Sequence, residues 1–278
     1  MNSKALHQRT RAAFSYVKGK WYNVAYIGLY GSQNYRLDMN DKDYQSDVDW
    51  KCIVIPTLEQ LVMNSQPISI VIPFWWWQID VKDIRAFTDS IVKCNVNFLE
   101  ILTTEFFYCT NPEVKDLRKM VEPLMKEMGA LYLKACYGMM KEKEAALRHP
   151  YPSTKHKVEK YGYDPKQYHH IARLALLIER YVECERKHYI FKLTTFSHFG
   201  SEQEKLIKIK KWLIPNDKVD AHVKELMDYA KRELEWYTTI MKFDAKDDFI
   251  QQTRNIIIND IVWIIQDKSY WKPSLKKA

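Results

Sequence analysis

Three short runs dense in β-branched and aromatic residues set what this chain can fold into: VAYIGLYG (24–31), CIVIP (52–56) and ISIVIPFWWWQIDVKD (68–83). The first two read as strands bounded by turn residues, and the third as a strand region. Charged segments surround them. Residues 3–18 read as a helix, 57–64 as a short helical turn, and DIRAFTDSIVKC as a helix that Asp83 would cap. Asn97 and Glu100 have the spacing of a capping box opening the helix NFLEIL. From about residue 115 the strand runs give way to apolar residues at helical spacing. Examples are Ile171, Leu174, Ala175, Ile178, Tyr181 and Val182, then Val219, Val223, Leu226, Ala230 and Leu234. The expected fold is therefore α+β, a small sheet with helices over residues 1–112 followed by an all-helical unit over 113–278. Turn-rich HPYPS (149–153) and YGYDP (161–165) punctuate the second unit.

Of the 278 residues, Lys and Arg outnumber Asp and Glu by 43 to 35, a formal charge of +8. That excess suits a polyanionic partner such as RNA, DNA or a nucleoside triphosphate, although many proteins with this balance bind none. The five cysteines, Cys52, Cys94, Cys109, Cys136 and Cys184, are scattered without a C-x-x-C pair. This is the pattern of reduced thiols in a cytoplasmic protein, not of a disulfide framework or a zinc site. The charged N-terminal stretch MNSKALHQRTRAAF has no apolar signal core. No apolar run approaches the roughly 18 residues of a membrane span, so no membrane partner is expected.

The run CIVIP is preceded by Asp47-Val48-Asp49. Strand alternation points Asp47 and Asp49 the same way, and two such carboxylates raise each other's proton affinity unless a cation lies between them. They fit either a solvated edge or a site for a hard divalent ion, which takes one or two carboxylates plus substrate phosphates. Asp80, on one face of its strand with Gln78 and Lys82, is the best third carboxylate, and Asp83 the weaker one. The alternation also puts Trp75, Trp77, Ile79 and Val81 on the opposite, packed face and leaves Trp76 beside the site. Upstream, Gly31-Ser32 ends the first strand, where a glycine backbone and a hydroxyl can approach phosphate oxygens.

A strand ending in Gly-Ser (GSQNY, 31–35), S-D-x-D on the next strand (SDVDWK, 46–51) and a lone Asp on a third (IDVKDIR, 79–85) resemble the polymerase-β-type nucleotidyltransferase superfamily. With NVNFLEIL, YGYDPKQYHHIARL and IKIKK, the chain looks more narrowly like the phage and bacterial nucleotidyltransferases of the RNA-ligase-associated, RNA-repair-linked branch. That resemblance implies transfer of a nucleoside monophosphate from an NTP to an acceptor hydroxyl, with release of pyrophosphate. Asp47, Asp49 and Asp80 would hold Mg²⁺ or Mn²⁺ and carry the catalysis, and Gly31 and Ser32 would meet the triphosphate. Arg36 stands where relatives usually have glycine, followed by a longer loop.

In the helical half, Lys166, His170 and Arg173 fall on one helix face with His169 beside it. The face is either solvated or, as the resemblance implies, nucleotide-binding. Lys208, Lys210 and Lys211 form a second basic cluster, for phosphate or simply for solvent. The acceptor implied is an RNA or tRNA end. Two other readings remain at this point: a toxin-like or modifying transferase acting on a protein or small molecule, and a catalytically silent nucleotide- or RNA-binding module.

Overall fold

The computed structural model describes residues 3–41, 44–110, 128–149, 152–187, 200–211 and 213–240, together with 115, 118, 119, 121 and 125. The boundary expected at 112/113 and the last part of the helical unit, beyond 240, lie outside the described residues. The architecture is α+β.

Helix α1 (Ser3–Gly19) leads into β1 (Asn23–Tyr30). A polar loop holding the two-residue strands β2 (Asn40–Asp41) and β3 (Tyr44–Gln45) connects to β4 (Asp49–Ile55). The short α2 (Leu58–Val62), opened by a capping box on Thr57 and Gln60, precedes β5 (Ser69–Phe74) and β6 (Trp77–Asp83). Helices α3 (Ile84–Val92) and α4 (Val96–Thr103) and strand β7 (Phe107–Cys109) complete the first unit. Asp83 caps α3 as expected, accepting from the Arg85 N–H at 2.9 Å. The cap of α4 is Asn95, not Asn97: the Asn95 side chain accepts from the Asn97 N–H. Glu100 is thereby free for the use described below.

The five main strands lie in the order β5-β6-β4-β1-β7. The sheet is mixed: β4 and β6 run parallel and the other pairs antiparallel. Alternation sorts β4 cleanly. Trp50, Cys52 and Val54 pack beneath α1, while Ile53 and Ile55 face the other helices. Trp50 pins α1 to the sheet, its indole N–H donating to the Thr10 hydroxyl at 3.0 Å and its ring meeting Phe74 and Trp77 edge-on.

Alternation fails at the three tryptophans. The strand region holds two strands, and Trp75 and Trp76 form the turn of the β5–β6 hairpin. Trp75 adopts a left-handed φ of 56°, which reverses the chain and breaks the period-2 pattern. Trp75, expected in the core, is instead 63% exposed, while Trp77 is buried.

The helical unit comprises α5 (Gly129–Ala146), α6 (Lys155–Tyr161), α7 (Pro165–Arg186), α8 (Gly200–Lys210) and α9 (Asn216–Ile240). Buried Ile171, Leu174, Ala175, Ile178, Tyr181 and Val182 make α7 its central helix. At Gly129 an added Cβ would meet the hydroxyls of Tyr181 and Tyr237 at 2.2 and 2.4 Å, so α5 starts with glycine because two neighbouring helices close on it. One continuous apolar cluster runs from Ile53 and Ile55 through Leu99 to Leu133, Ile171 and Ile178, joining the sheet to the helices. No helix among the described residues is long and apolar enough to cross a membrane.

Candidate active-site cleft

A cleft of about 270 Å³ opens where β1 ends and β4 begins. One wall carries Tyr30, Gly31, Ser32, Ser46, Asp47, Asp49, Asn97 and Glu100. The other carries Lys166, His169, His170 and Arg173 from α7 and Lys210 from α8. Of the expected catalytic and nucleotide-binding residues, Asp47, Asp49, Gly31, Ser32, Lys166, His170 and Arg173 therefore border one space. Asp80 is the exception.

The Gly31 turn is built by backbone geometry. Gly31 has a φ of 81°, and its carbonyl accepts from the Asn34 and Tyr35 N–H groups at 3.0 and 3.2 Å. A Cβ at Gly31 would stand 3.9 Å from Asp49 Oδ2, so turn and carboxylate lie side by side. The antiparallel pair Tyr30–Asp49 puts them there. Arg36 is left-handed with a φ of 58°, a conformation glycine adopts without steric cost. Its side chain turns to Glu105, at 3.6 Å, and is absent from the cleft lining.

Glu100 fixes this turn from behind. Its buried carboxylate accepts the Gly31 N–H at 2.6 Å and the Asn34 amide at 3.3 Å, and faces the Arg173 guanidinium at 3.7 Å. Burial pushes the carboxyl above its ordinary value, and Arg173 together with the Gly31, Tyr35 and Asn34 donors pulls it back. Arg173 also lies 4.4 Å over the Tyr35 ring. Its Nε and one terminal nitrogen are buried without a hydrogen-bond partner, as is Nε2 of His169.

Asp49 is half-buried and Asp47 exposed. Burial, then the neighbouring Asp47, pushes the Asp49 carboxyl from 3.8 up to about 6, against the pull of Lys166 and Lys51. Opposite, burial pushes Lys210 down to about 8, with Lys166 and Arg173 adding to the effect. Its ammonium donates to Ser32 Oγ at 2.7 Å, the Leu37 carbonyl at 3.0 Å and Ser46 Oγ at 3.1 Å. Both imidazoles, His169 and His170, are held well below their usual value, first by burial and then by the surrounding cations. They are neutral at pH 7.

Asp80 lies on the same sheet face, level with Lys51 in the β4–β6 register. It pairs with Lys51 on one side and with Lys82, at 3.1 Å, on the other. Lys51 is itself boxed between the Tyr30 and Phe98 rings at 4.7 and 4.8 Å. Among the described residues, no three His, Cys, Asp or Glu side chains gather into a metal-binding group. The acidic donors in the cleft are the Asp47–Asp49 pair and the inward-held Glu100. The pair fits one hard divalent ion that completes its oxygen shell with water and phosphate.

Two contributors were not readable as such. Lys210 sat in a basic run that resembles a solvated face, and only its position after buried Leu206 and Ile209 hinted otherwise. Glu100, a lone acid within apolar NFLEIL, was a signal that the capping-box spacing obscured.

No protein-family model matches this chain, and no curated protein matches it. Among solved structures, a nucleotidyltransferase-like protein from Exiguobacterium sibiricum aligns over 96% of this chain and 91% of its own, at 9% identity and a TM-score of 0.31. A likeness of that size falls short of a shared fold, and the cleft is read on its own geometry.

Proposed function

We propose that the cleft transfers a nucleoside monophosphate from an NTP to an acceptor hydroxyl, and that the acceptor is an RNA or tRNA end. The observation that carries this reading is the facing of Asp47 and Asp49 by Lys166, Arg173 and Lys210 across a space floored by the Gly31–Ser32 turn. Such a space takes a triphosphate lengthwise, its reacting phosphate at the carboxylates and its outer phosphates at the cations. The acceptor oxygen attacks the α-phosphorus, the bond to the β-phosphate breaks, and the hydroxyl proton is lost as pyrophosphate departs. A divalent cation held by Asp47 and Asp49, Mg²⁺ or Mn²⁺, would supply charge neutralisation at the reacting phosphate. Lys210, Lys166 and Arg173 stabilise the negative charge that grows on pyrophosphate, Arg173 as a buried cation held in place by Glu100. Ser32 is held by Lys210 and moves with it. Neutral His169 and His170 offer a hydrogen bond to a phosphate without adding charge. In this reading Asp80 orders Lys51 and enters the reaction only if its two lysines release it.

That same pairing of Asp80 favours a second reading, a module that binds nucleotide without turnover, because two carboxylates then face the cleft instead of three. One assay separates the two. The purified protein is incubated with Mg²⁺ or Mn²⁺, each α-labelled NTP and cellular RNA, beside an Asp47→Ala/Asp49→Ala control. The transferase reading expects label on RNA with the native chain and a loss of at least about 10³-fold in the control. Label on protein alone points to a protein-modifying transferase. Bound nucleotide without label anywhere leaves the silent module.

A further inference from the structure

The tip of the β5–β6 hairpin exposes two large rings that the transfer does not use. Trp75 and Trp76 are 63% and 77% exposed. They are not loose side chains. Trp75 stacks on buried Phe74 at 4.6 Å, and buried Trp77 meets Trp75 and Trp76 edge-on at 5.8 and 5.5 Å. The rings are thus propped on the core while offering their surface to water.

Register gives the tip its place. In the parallel β4–β6 pair Asp49 is level with Gln78, and the tip precedes Gln78, so it projects from the sheet end that carries Asp47 and Asp49. Gln78 and its β5 partner Pro73 are exposed on the carboxylate face, forming a step between tip and cleft. The surroundings are cationic. Helix α1 carries no carboxylate, and its tip-side cations are Arg9 and, just past its end, Lys20, whereas Arg11 turns to Tyr108 on β7 at the far edge of the sheet. The Arg9 guanidinium lies 4.5 Å over Trp77, directly behind the tip. Tyr16 of the same helix packs 5.1 Å from Phe74 and carries the Lys20 ammonium 5.0 Å above its ring.

We propose that Trp75 and Trp76 are a stacking platform for the bases of a single-stranded nucleic acid, whose phosphates meet Arg9 and Lys20 beside the tip. Rings that stack on any base, next to cations that take any phosphate, bind single strands with little sequence preference. A duplex hides its base faces and gains nothing from the rings. This deepens the transferase reading by giving its acceptor a docking surface, and it rests on that reading only for where the strand's end goes.

The test is fluorescence anisotropy of the full chain with a short labelled oligoadenylate, without NTP. The native chain is expected to bind the single strand more tightly than a duplex of equal length. Trp75→Ala/Trp76→Ala should weaken binding by roughly a hundredfold, about tenfold per ring, and Trp75→Phe/Trp76→Phe should restore most of it. Arg9→Gln/Lys20→Gln should flatten the dependence of affinity on salt. Unfolding midpoints of the tryptophan variants, followed by circular dichroism, show that the fold is intact. The proposal is overturned by unchanged affinity in the alanine variant or by equal affinity for the duplex. It is equally overturned if the exposed rings prove to serve anionic vesicles or association of the chain with itself instead of the oligonucleotide. Failure here and failure of the transferase reading look different. Oligonucleotide binding that needs the rings, beside transfer that ignores Asp47→Ala/Asp49→Ala, leaves the platform standing alone. The reverse pattern leaves the transferase without this platform.

Discussion

Two charged regions lie on the same face of the sheet, and they are assembled on opposite principles. Around Asp80 the charges are matched: Lys51, with a side chain 6% exposed, and Lys82 close on a single carboxylate. In the cleft, at the start of β4, they are not. Asp47 and Asp49 repel each other on one wall, while Lys210 on the other is satisfied by two hydroxyls and a carbonyl. Burial, more than neighbouring charge, moves both proton affinities: Asp49 is raised to about 6 and Lys210 lowered to about 8. A matched cluster is complete without a ligand. A mismatched one, with acids and bases held apart across a void, is completed by something carrying both a cation and an anion, as a metal-bound nucleotide does.

Removing the centre of the matched region should have the largest effect on stability. Asp80→Asn leaves a buried ammonium between two aromatic rings, which costs about 3–5 kcal/mol. Denaturant unfolding reads it, and adding Lys51→Met should recover much of the loss. A variant as stable as the native chain would show that the two regions do not differ as described.

The next test falls on the cleft. Lys210→Met should lower kcat/KM for nucleotide about a hundredfold while changing stability little, because its partners are neutral groups at the edge of a cavity. In the proposed transfer Lys210 acts as a cation, so activity should fall as pH rises through about 8. The variant should lose that limb. An alkaline limb that survives the substitution belongs to another group.

The smallest effect has the opposite sign. Asp49 binds its proton more tightly folded than unfolded, so between pH about 4 and 6 the folded state holds more protons. Without divalent ion, stability should therefore decline as pH rises across that window. Asp49→Asn removes the penalty and should stabilise the metal-free protein by about 1–2 kcal/mol at pH 8 while abolishing transfer. Destabilisation would place Asp49 with the matched charges instead.

Much of this was legible in the sequence because it is periodic or local. The three strand runs, the Asp83 cap and the buried stripe of α7 follow from side-chain direction alone. So do the positions of Asp47 and Asp49 next to Gly31, once β1 and β4 pair. What resisted was decided by tertiary partners. Nothing local says that Asp80 meets Lys51 across a parallel pair, since that needs the register. A left-handed φ at a tryptophan is rare enough that alternation through Trp75 was the natural expectation. Lys210 is distinguished from Lys208 and Lys211 only by the helix face that α8 turns to the Ser32 turn.

One contact decides how the cleft can move. Glu100 is shared between the backbone of the Gly31 turn and Arg173 of the central helix, so a single buried anion belongs to both walls. Parting the walls there would strand a carboxylate and a guanidinium in an apolar setting, at about 3–5 kcal/mol. The protein is therefore closed along one side like a bound book. Whatever enters the cleft does so with Glu100 and Arg173 still joined.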